Sequence, residues 1–369
     1  MNSWLQPRFV PVVKAVSAGC NLRCRYCFYS GSQPEIKIMS IKTLDVVIKR
    51  CLSVAPNVHF VWHGGEPTVA GVDFYRIAID MCHKYAVDGQ RVTHSIQTNG
   101  TLLDEDWIKL FQQENISVGV SLDGPENLTN LTRIDASGKG AFSSIMRGIN
   151  LLQSVNQKFG IIAVINALTI KHPDDIFSFM YSRGLSFAAN PCVSGPDAPS
   201  SIKELAVDPV EYADFLLRLM DLWLETEDHT FKVGPVDDLI KAVLGGRPSL
   251  CRFNGRCHRY PTIDSNGDVY PCDEFSESKY LLGNARCQEF SEIFHAQPFH
   301  DYYSGRDSVL TACGSCQWLN VCKGGCMRMW NGRKSITTPQ EHVYCQARQH
   351  LFQSVQNKLV SIGYMEKSK

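Results

Sequence analysis

Along the first 190 residues, short apolar bursts alternate with longer amphipathic stretches. The bursts cover residues 12–16, 58–62, 92–97, 116–122, 159–166 and 185–189. Several are nearly continuous runs with β-branched side chains, the pattern of strands buried on both faces. Between them, Leu44, Val47, Ile48, Cys51 and Leu52 fall at helical spacing, as do Trp107, Leu110 and Phe111. Phe142, Ile145, Ile149 and Leu152 form the clearest apolar stripe, and Ile176, Phe177, Phe179 and Met180 a shorter one after Asp174. Repeated strand–helix units imply parallel strands joined by right-handed crossovers. Six of them predict an α/β fold, an open, partial, TIM-like (β/α)6 barrel.

The rhythm breaks over residues 190–204, where Pro191, Gly195, Pro196 and Pro199 predict a connector or a substrate-facing loop. Asp208 followed by Pro209 reads as an N-cap and first helical residue. The helix beyond carries Tyr212, Phe215, Leu216, Leu219 and Trp223, and a further short helix is expected over residues 235–244. After Gly245 periodicity fades and cysteines become dense, so a domain change is placed near residue 235: 1–235 as the barrel and 236–369 as a cysteine-rich appendage with a C-terminal helix. No solenoid-type repeat is present.

The chain has 369 residues, 44% hydrophobic and 20% charged, with a formal net charge of zero, which provides no global field for nucleic acid or an anionic membrane. Its 15 cysteines are the anomaly. A chain this long needs no disulfide staples, and an odd number cannot pair completely within one molecule. The string Val16 to Cys20 is lipoprotein-like, but Lys14 interrupts an already short apolar stretch, so no export signal is expected. No apolar run reaches membrane-spanning length. A cytoplasmic protein holding thiolates for metal is the simplest expectation.

Cys20, Cys24 and Cys27 form a Cx3Cx2C set directly after the first predicted strand. Three thiolates can hold three irons of a cubane and leave the fourth open to exogenous chemistry. Zinc would recruit a fourth protein ligand, and none is obvious nearby. With Tyr26 before the last cysteine, this loop resembles the signature of the radical SAM superfamily. The resemblance implies a [4Fe-4S] cluster whose open iron binds S-adenosyl-L-methionine and whose electron cleaves it to a 5′-deoxyadenosyl radical. Gly64, Gly65, Glu66 and Pro67 follow the second strand, glycines for close backbone approach and a carboxylate for an ammonium group. By the same resemblance this string contacts the methionine moiety. Ser121 contacts the cofactor, Arg133 orders the site, and Asn166, ending the fifth strand, is a further cofactor candidate.

Eight more cysteines have recognisable spacing: Cys251, Cys257, Cys272, Cys313, Cys316, Cys322, Cys326 and Cys345. Eight thiolates suffice for two cubanes, structural zinc being the alternative. The layout resembles the SPASM extension with its two auxiliary iron–sulfur clusters, which brings the expected total to three. Carried over by motif, Cys251, Cys257, Cys272 and Cys326 hold one, and Cys313, Cys316, Cys322 and Cys345 the other. Cys51 and Cys82 fall on helical patterns as small hydrophobes, and Cys192 and Cys287 are not expected to be ligands. Asp273, beside Cys272, is the proposed catalytic base in the matching motif of the anaerobic sulfatase-maturating enzymes; the alternative is a turn or cap residue.

Similarity to that family runs from about Val12 to Cys345, through residues 20–29, 64–71, 97–103 and 121–125. It implies an oxidoreductase converting Cys or Ser of an unfolded sulfatase segment to Cα-formylglycine, with reducing equivalents from a donor such as flavodoxin or ferredoxin. Two departures keep a competitor open. His63 stands where many of those relatives have Gln, and His258–Arg259–Tyr260 differs from their usual stretch. Histidine before the glycines resembles enzymes that modify or cross-link ribosomally made precursor peptides. No fused peptide-recognition domain is expected ahead of the first strand, which leaves room for a separate recognition protein. Small-molecule radical chemistry and a non-catalytic electron carrier are the remaining alternatives.

Overall fold

The computed structural model describes residues 8–29, 36–195, 198–330 and 338–366. Pro196, within the predicted connector, lies outside the described residues. The strands are β1 (Val12–Val13), β2 (Asn57–Trp62), β3 (Arg91–Thr98), β4 (Ser117–Ser121), β5 (Phe159–Ile165), β6 (Phe187–Pro191), β7 (Val233–Gly234), β8 (Thr262–Ile263), β9 (Asp268–Tyr270) and β10 (Gly283–Asn284). The chain divides into two compact units, one of Met1–Ser121, Arg133–Gly160 and Cys257–Tyr303, the other of Leu122–Thr132, Ile161–Arg256 and Ser304–Lys369.

In the first unit the strand order is β10-β9-β8-β1-β2-β3-β4. β1 to β4 run parallel, with Val12 opposite Val61 and Trp62 opposite Ile96. β8 joins the outer side of β1 in parallel, and β9 and β10 continue antiparallel. Alternate residues of β2 point into the core: Val58, Phe60 and Trp62 are almost fully buried, and Phe60 and Trp62 stack 5.8 Å apart. The helix Ile41–Leu52 starts where Ser40 Oγ accepts the N–H of Thr43, and it buries Leu44, Val47, Ile48 and Cys51. Burial of each large aliphatic side chain is worth about 1.5–3 kcal/mol.

The second unit contains the parallel set β5-β6-β7. Asp208 caps the helix Pro209–Glu225 by accepting the N–H groups of Val210 and Glu211 at 2.8 and 3.3 Å. This helix packs against Pro173–Ser182 and against the C-terminal helix Val343–Ser361. Cys192, just after β6, is 5% exposed and its N–H donates to Ile165 O. No described helix is long and apolar enough to cross a membrane.

Candidate functional site

In the first unit the loop carrying Cys20, Cys24 and Cys27 follows β1 and is tied down from several sides. Asn21 donates to Thr101 Oγ1 at 2.8 Å, Asn99 Nδ2 donates to Asn21 Oδ1 at 2.9 Å, and the N–H of Arg23 donates to Ile134 O at 2.7 Å. The buried Arg133 guanidinium lies 5.5 Å from the Tyr26 ring centre, a cation–π contact with the loop. Gly65 has φ +48°, and a Cβ there would fall 2.0 Å from Gly19 O. The glycine therefore lets the β2 end press against the loop that bears Cys20.

Glu66 is 1% exposed. Its Oε1 accepts from Thr68 N, Thr68 Oγ1 and Thr98 Oγ1, and its Oε2 accepts from Asn99 N at 2.5 Å. Burial pushes its carboxyl up while these donors oppose the shift. Four donors thus meet the carboxylate, three on Oε1 and one on Oε2. Ser121, ending β4, accepts from Gln97 Nε2 at 3.0 Å. In the second unit Asn166 is fully buried; its Oδ1 accepts from Leu168 N, but its Nδ2 has no partner among the described residues. A buried donor without an acceptor is costly, and a ligand oxygen there would satisfy it.

Asp273 gathers three side chains that the sequence did not single out as its partners. Lys14 Nζ lies 2.8 Å and Tyr29 Oη 2.9 Å from its Oδ1, and His63 Nδ1 lies 3.1 Å from Oδ2 as an ion-pair contact rather than a well-directed hydrogen bond. Lys14 is 1% exposed, donates also to Ser276 Oγ at 2.7 Å and sits 4.6 Å from the Tyr29 ring centre. Burial alone would raise the Asp273 carboxyl, but the charges of Lys14 and His63 outweigh it and hold the group far below the usual range. Burial would lower His63; the Asp273 charge reverses this and raises it. About a fifth of the Asp273 side chain stays accessible. Gly64 makes room for this arrangement, since a Cβ there would meet the Lys14 stem at 2.5 Å.

Four of the cysteines line one pocket in the second unit: Cys313, Cys316, Cys322 and Cys345, together with Trp318, Trp330 and Phe352. The Arg348 Nε donates to Cys322 Sγ at 3.1 Å and Gln349 Nε2 donates to Cys345 Sγ at 3.2 Å. Burial pushes the Cys313 thiol up to about 11, and Cys20 in the first unit likewise to about 11. Such thiols become thiolates near neutrality only when a metal compensates the charge. A thiol-lined cavity with N–H donors aimed at its sulfurs fits an iron–sulfur cluster. Cys251 opens the helix Cys251–Asn254, and Cys326 N–H donates to Tyr344 Oη at 3.0 Å. In the first unit Cys257 begins the turn Cys257–Arg259, and Cys272 follows β9, its Sγ accepting from Glu274 N at 3.4 Å. Among the described residues no three His, Cys, Asp or Glu side chains are gathered closely enough for a single metal ion.

Two family descriptions match this layout: the radical SAM superfamily over residues 15–180 and the iron–sulfur cluster-binding SPASM domain over residues 251–317. They define a radical SAM oxidoreductase with an α/β partial-barrel core and a cysteine-rich extension. The chain is 33% identical to the cysteine-type anaerobic sulfatase-maturating enzyme of Clostridium novyi (strain NT), over 95% of this chain and 96% of that protein. It is 31% identical to the serine-type enzyme of Bacteroides thetaiotaomicron, over 95% and 90%. The solved structure of native anSMEcpe with bound AdoMet and Cp18Cys peptide matches with a TM-score of 0.86 and 30% identity, covering 96% of this chain and 99% of that one. The chain belongs to the family of the anaerobic sulfatase-maturating enzymes. It is a radical SAM enzyme that modifies peptides or proteins.

Proposed function

We propose that this enzyme oxidises the side chain of a Cys or Ser in an unfolded sulfatase segment to Cα-formylglycine, in the cytoplasm, using three [4Fe-4S] clusters and S-adenosyl-L-methionine. When bound, the cofactor and the Cys20, Cys24 and Cys27 cluster supply the hydrogen-abstracting radical; the two auxiliary clusters supply a one-electron sink. The chain's own part is to position and to move a proton. Gly64, Gly65, Glu66, Ser121 and Asn166 hold the nucleoside cofactor, with Arg133 ordering the cysteine loop. Asp273 accepts the proton that the substrate side chain loses as its Cβ is oxidised, and Lys14, His63 and Tyr29 keep that carboxylate ionised and aimed. Cys251, Cys257, Cys272 and Cys326 would hold one auxiliary cluster and Cys313, Cys316, Cys322 and Cys345 the other, in a domain beginning near residue 235.

The observation that carries this reading is Asp273 itself: an accessible carboxylate held ionised by a buried lysine, next to a cluster cysteine. The Clostridium novyi relative's cysteine-type designation and the peptide bound in the solved relative add support. His63 at the Asp273 carboxylate favours the second reading, a precursor-peptide modifying enzyme with its own recognition protein. One anaerobic experiment separates them, with dithionite or a flavodoxin or ferredoxin as donor. A peptide containing Cys/Ser-x-Pro-x-Arg should lose two hydrogens at Ser, or at Cys lose two hydrogens and then exchange sulfur for the oxygen of water with release of sulfide. An unreacted peptide, together with an internal cross-link in a small precursor peptide, would establish the competitor instead.

A further inference from the structure

Arg348 lies on the C-terminal helix of the second unit, three residues after Cys345. It is 6% exposed, and its guanidinium is boxed by aromatic rings: Phe253 and Phe352, each 4.9 Å from it, and Tyr344 at 5.5 Å. Its hydrogen bonds go to Cys322 Sγ from Nε, and from Nη2 to Arg252 O at 3.1 Å and Cys322 O at 3.2 Å. Among the described residues no carboxylate lies within ion-pair distance of it. A buried cation without a counter-ion is expensive, so the anionic balance must come from elsewhere. The groups available are sulfurs: Cys322 of one proposed cluster set is in direct contact, and Cys326 of the other acts on the guanidinium through its charge.

This geometry has a direct electrochemical meaning, resting on the cluster assignment proposed above. The reduced form of a thiolate-ligated cluster carries one more negative charge than the oxidised form. N–H···S bonds and a nearby cation stabilise that extra charge, and the aromatic box keeps out the water that would screen it. We propose that Arg348 is the positioning residue that raises the reduction potential of the cluster held by Cys313, Cys316, Cys322 and Cys345. It makes that cluster a better electron acceptor than it would be without the cation. Arg348 touches neither substrate nor nucleoside, and it acts only through the sulfur it binds and the charge it carries.

The test uses the full chain with Cys20→Ala, Cys24→Ala and Cys27→Ala, reconstituted anaerobically so that only auxiliary clusters contribute. A dithionite titration followed by electron paramagnetic resonance gives their potentials, with iron and sulfide content measured alongside. Arg348→Met is expected to lower one potential by at least 59 mV, a tenfold change in the one-electron equilibrium, and to lower the other by less. Arg348→Lys, which keeps charge but not the forked donor, should give a smaller shift. Unchanged potentials at full iron content overturn the proposal. If Arg348→Met loses iron, Arg348→Gln (neutral but still a donor) repeats the measurement; iron loss in both assigns Arg348 to cluster assembly and overturns it as well. A parent protein that takes up no auxiliary iron at all fails the cluster reading itself, a different result from an unshifted potential.

Discussion

The Lys14–Asp273 pair predicts a double-mutant cycle in which stability and chemistry separate. Lys14→Met removes a buried ammonium 2.8 Å from Asp273 Oδ1 and leaves the carboxylate facing only His63 and Tyr29. Asp273→Asn does the converse, stranding a lysine that is 1% exposed. Breaking one side of a buried pair costs about 3–5 kcal/mol; the lower end applies because a fifth of Asp273 remains accessible. Each single variant should therefore lose about 3 kcal/mol, and the double variant no more than either, a non-additivity of about 3 kcal/mol. At roughly 2 °C per kcal/mol for a protein of this size, each of the three should melt about 6 °C lower in anaerobic calorimetry. The chemistry should divide differently. Both variants lacking the carboxylate should still release 5′-deoxyadenosine while product formation falls by about 100-fold or more, the span of a lost proton acceptor. Lys14→Met should retain product formation, with its acid limb moved to higher pH because the cation that depresses Asp273 is gone. Additive melting losses would show that the two charges do not support each other, and normal product from Asp273→Asn would remove its assigned role.

Three further outcomes follow from other parts of the molecule. Gly65→Ala places a Cβ 2.0 Å from Gly19 O at φ +48°, so the cysteine loop must shift; iron bound by the N-terminal triplet and nucleoside release should both fall, and normal values for both would refute the close approach. Asn166→Ala removes the unpartnered buried Nδ2 and should weaken S-adenosyl-L-methionine binding by about 3- to 10-fold in anaerobic calorimetric titration; unchanged affinity would place that amide away from the cofactor. His94 stacks on Phe60 and Trp62, and burial pushes it down to about 4 from an unfolded value of 6.5. Because the folded pKa is the lower one, its contribution is complete above pH 6.5 and is lost as pH falls toward 4, about 2 kcal/mol of it by pH 5. His94→Phe should flatten the melting temperature between pH 7 and 5, and an unaltered slope would exclude His94 as the source.

How far the fold could be read from sequence depended on element length. The five bursts that became β2 to β6 are long enough for a burial pattern to register, as in residues 159–166, where β5 ends one residue early at Ile165, whereas the burst over 12–16 keeps only Val12–Val13 as β1. β7 to β10 have two or three residues each and carry no period. The helix Val72–Tyr85 was missed for want of a start signal: it opens at Gly71 with no side-chain cap. Gln297–Ala312 spreads its apolar residues around the axis, so it has no stripe to find. At the site, the cysteine spacing was explicit because clusters demand thiolates at fixed loop distances. Lys14 was visible only as an interruption in an apolar burst; its role depends on Asp273, 259 positions later, and no local pattern encodes that.

The two carboxylates of the first unit show why residue type alone does not assign chemistry. Glu66 and Asp273 each lie beside a motif residue, and each is largely withdrawn from water. Glu66 receives four donors from Thr68, Thr98 and Asn99, all neutral, so it knots the ends of two strands together and its carboxyl is pushed up. Asp273 meets a lysine, a histidine and a phenol, so it is driven down and keeps an accessible edge. Such a depressed carboxyl is a weak resting base; in the proposed role it would take a proton only as the substrate side chain becomes strongly acidic during oxidation of its Cβ. On that proposal proton acceptance is coupled to electron departure, since the Lys14 charge disfavours protonation of Asp273 before then. Replacing His63 with a neutral Gln would leave Lys14 as the charged partner of Asp273 among the described residues.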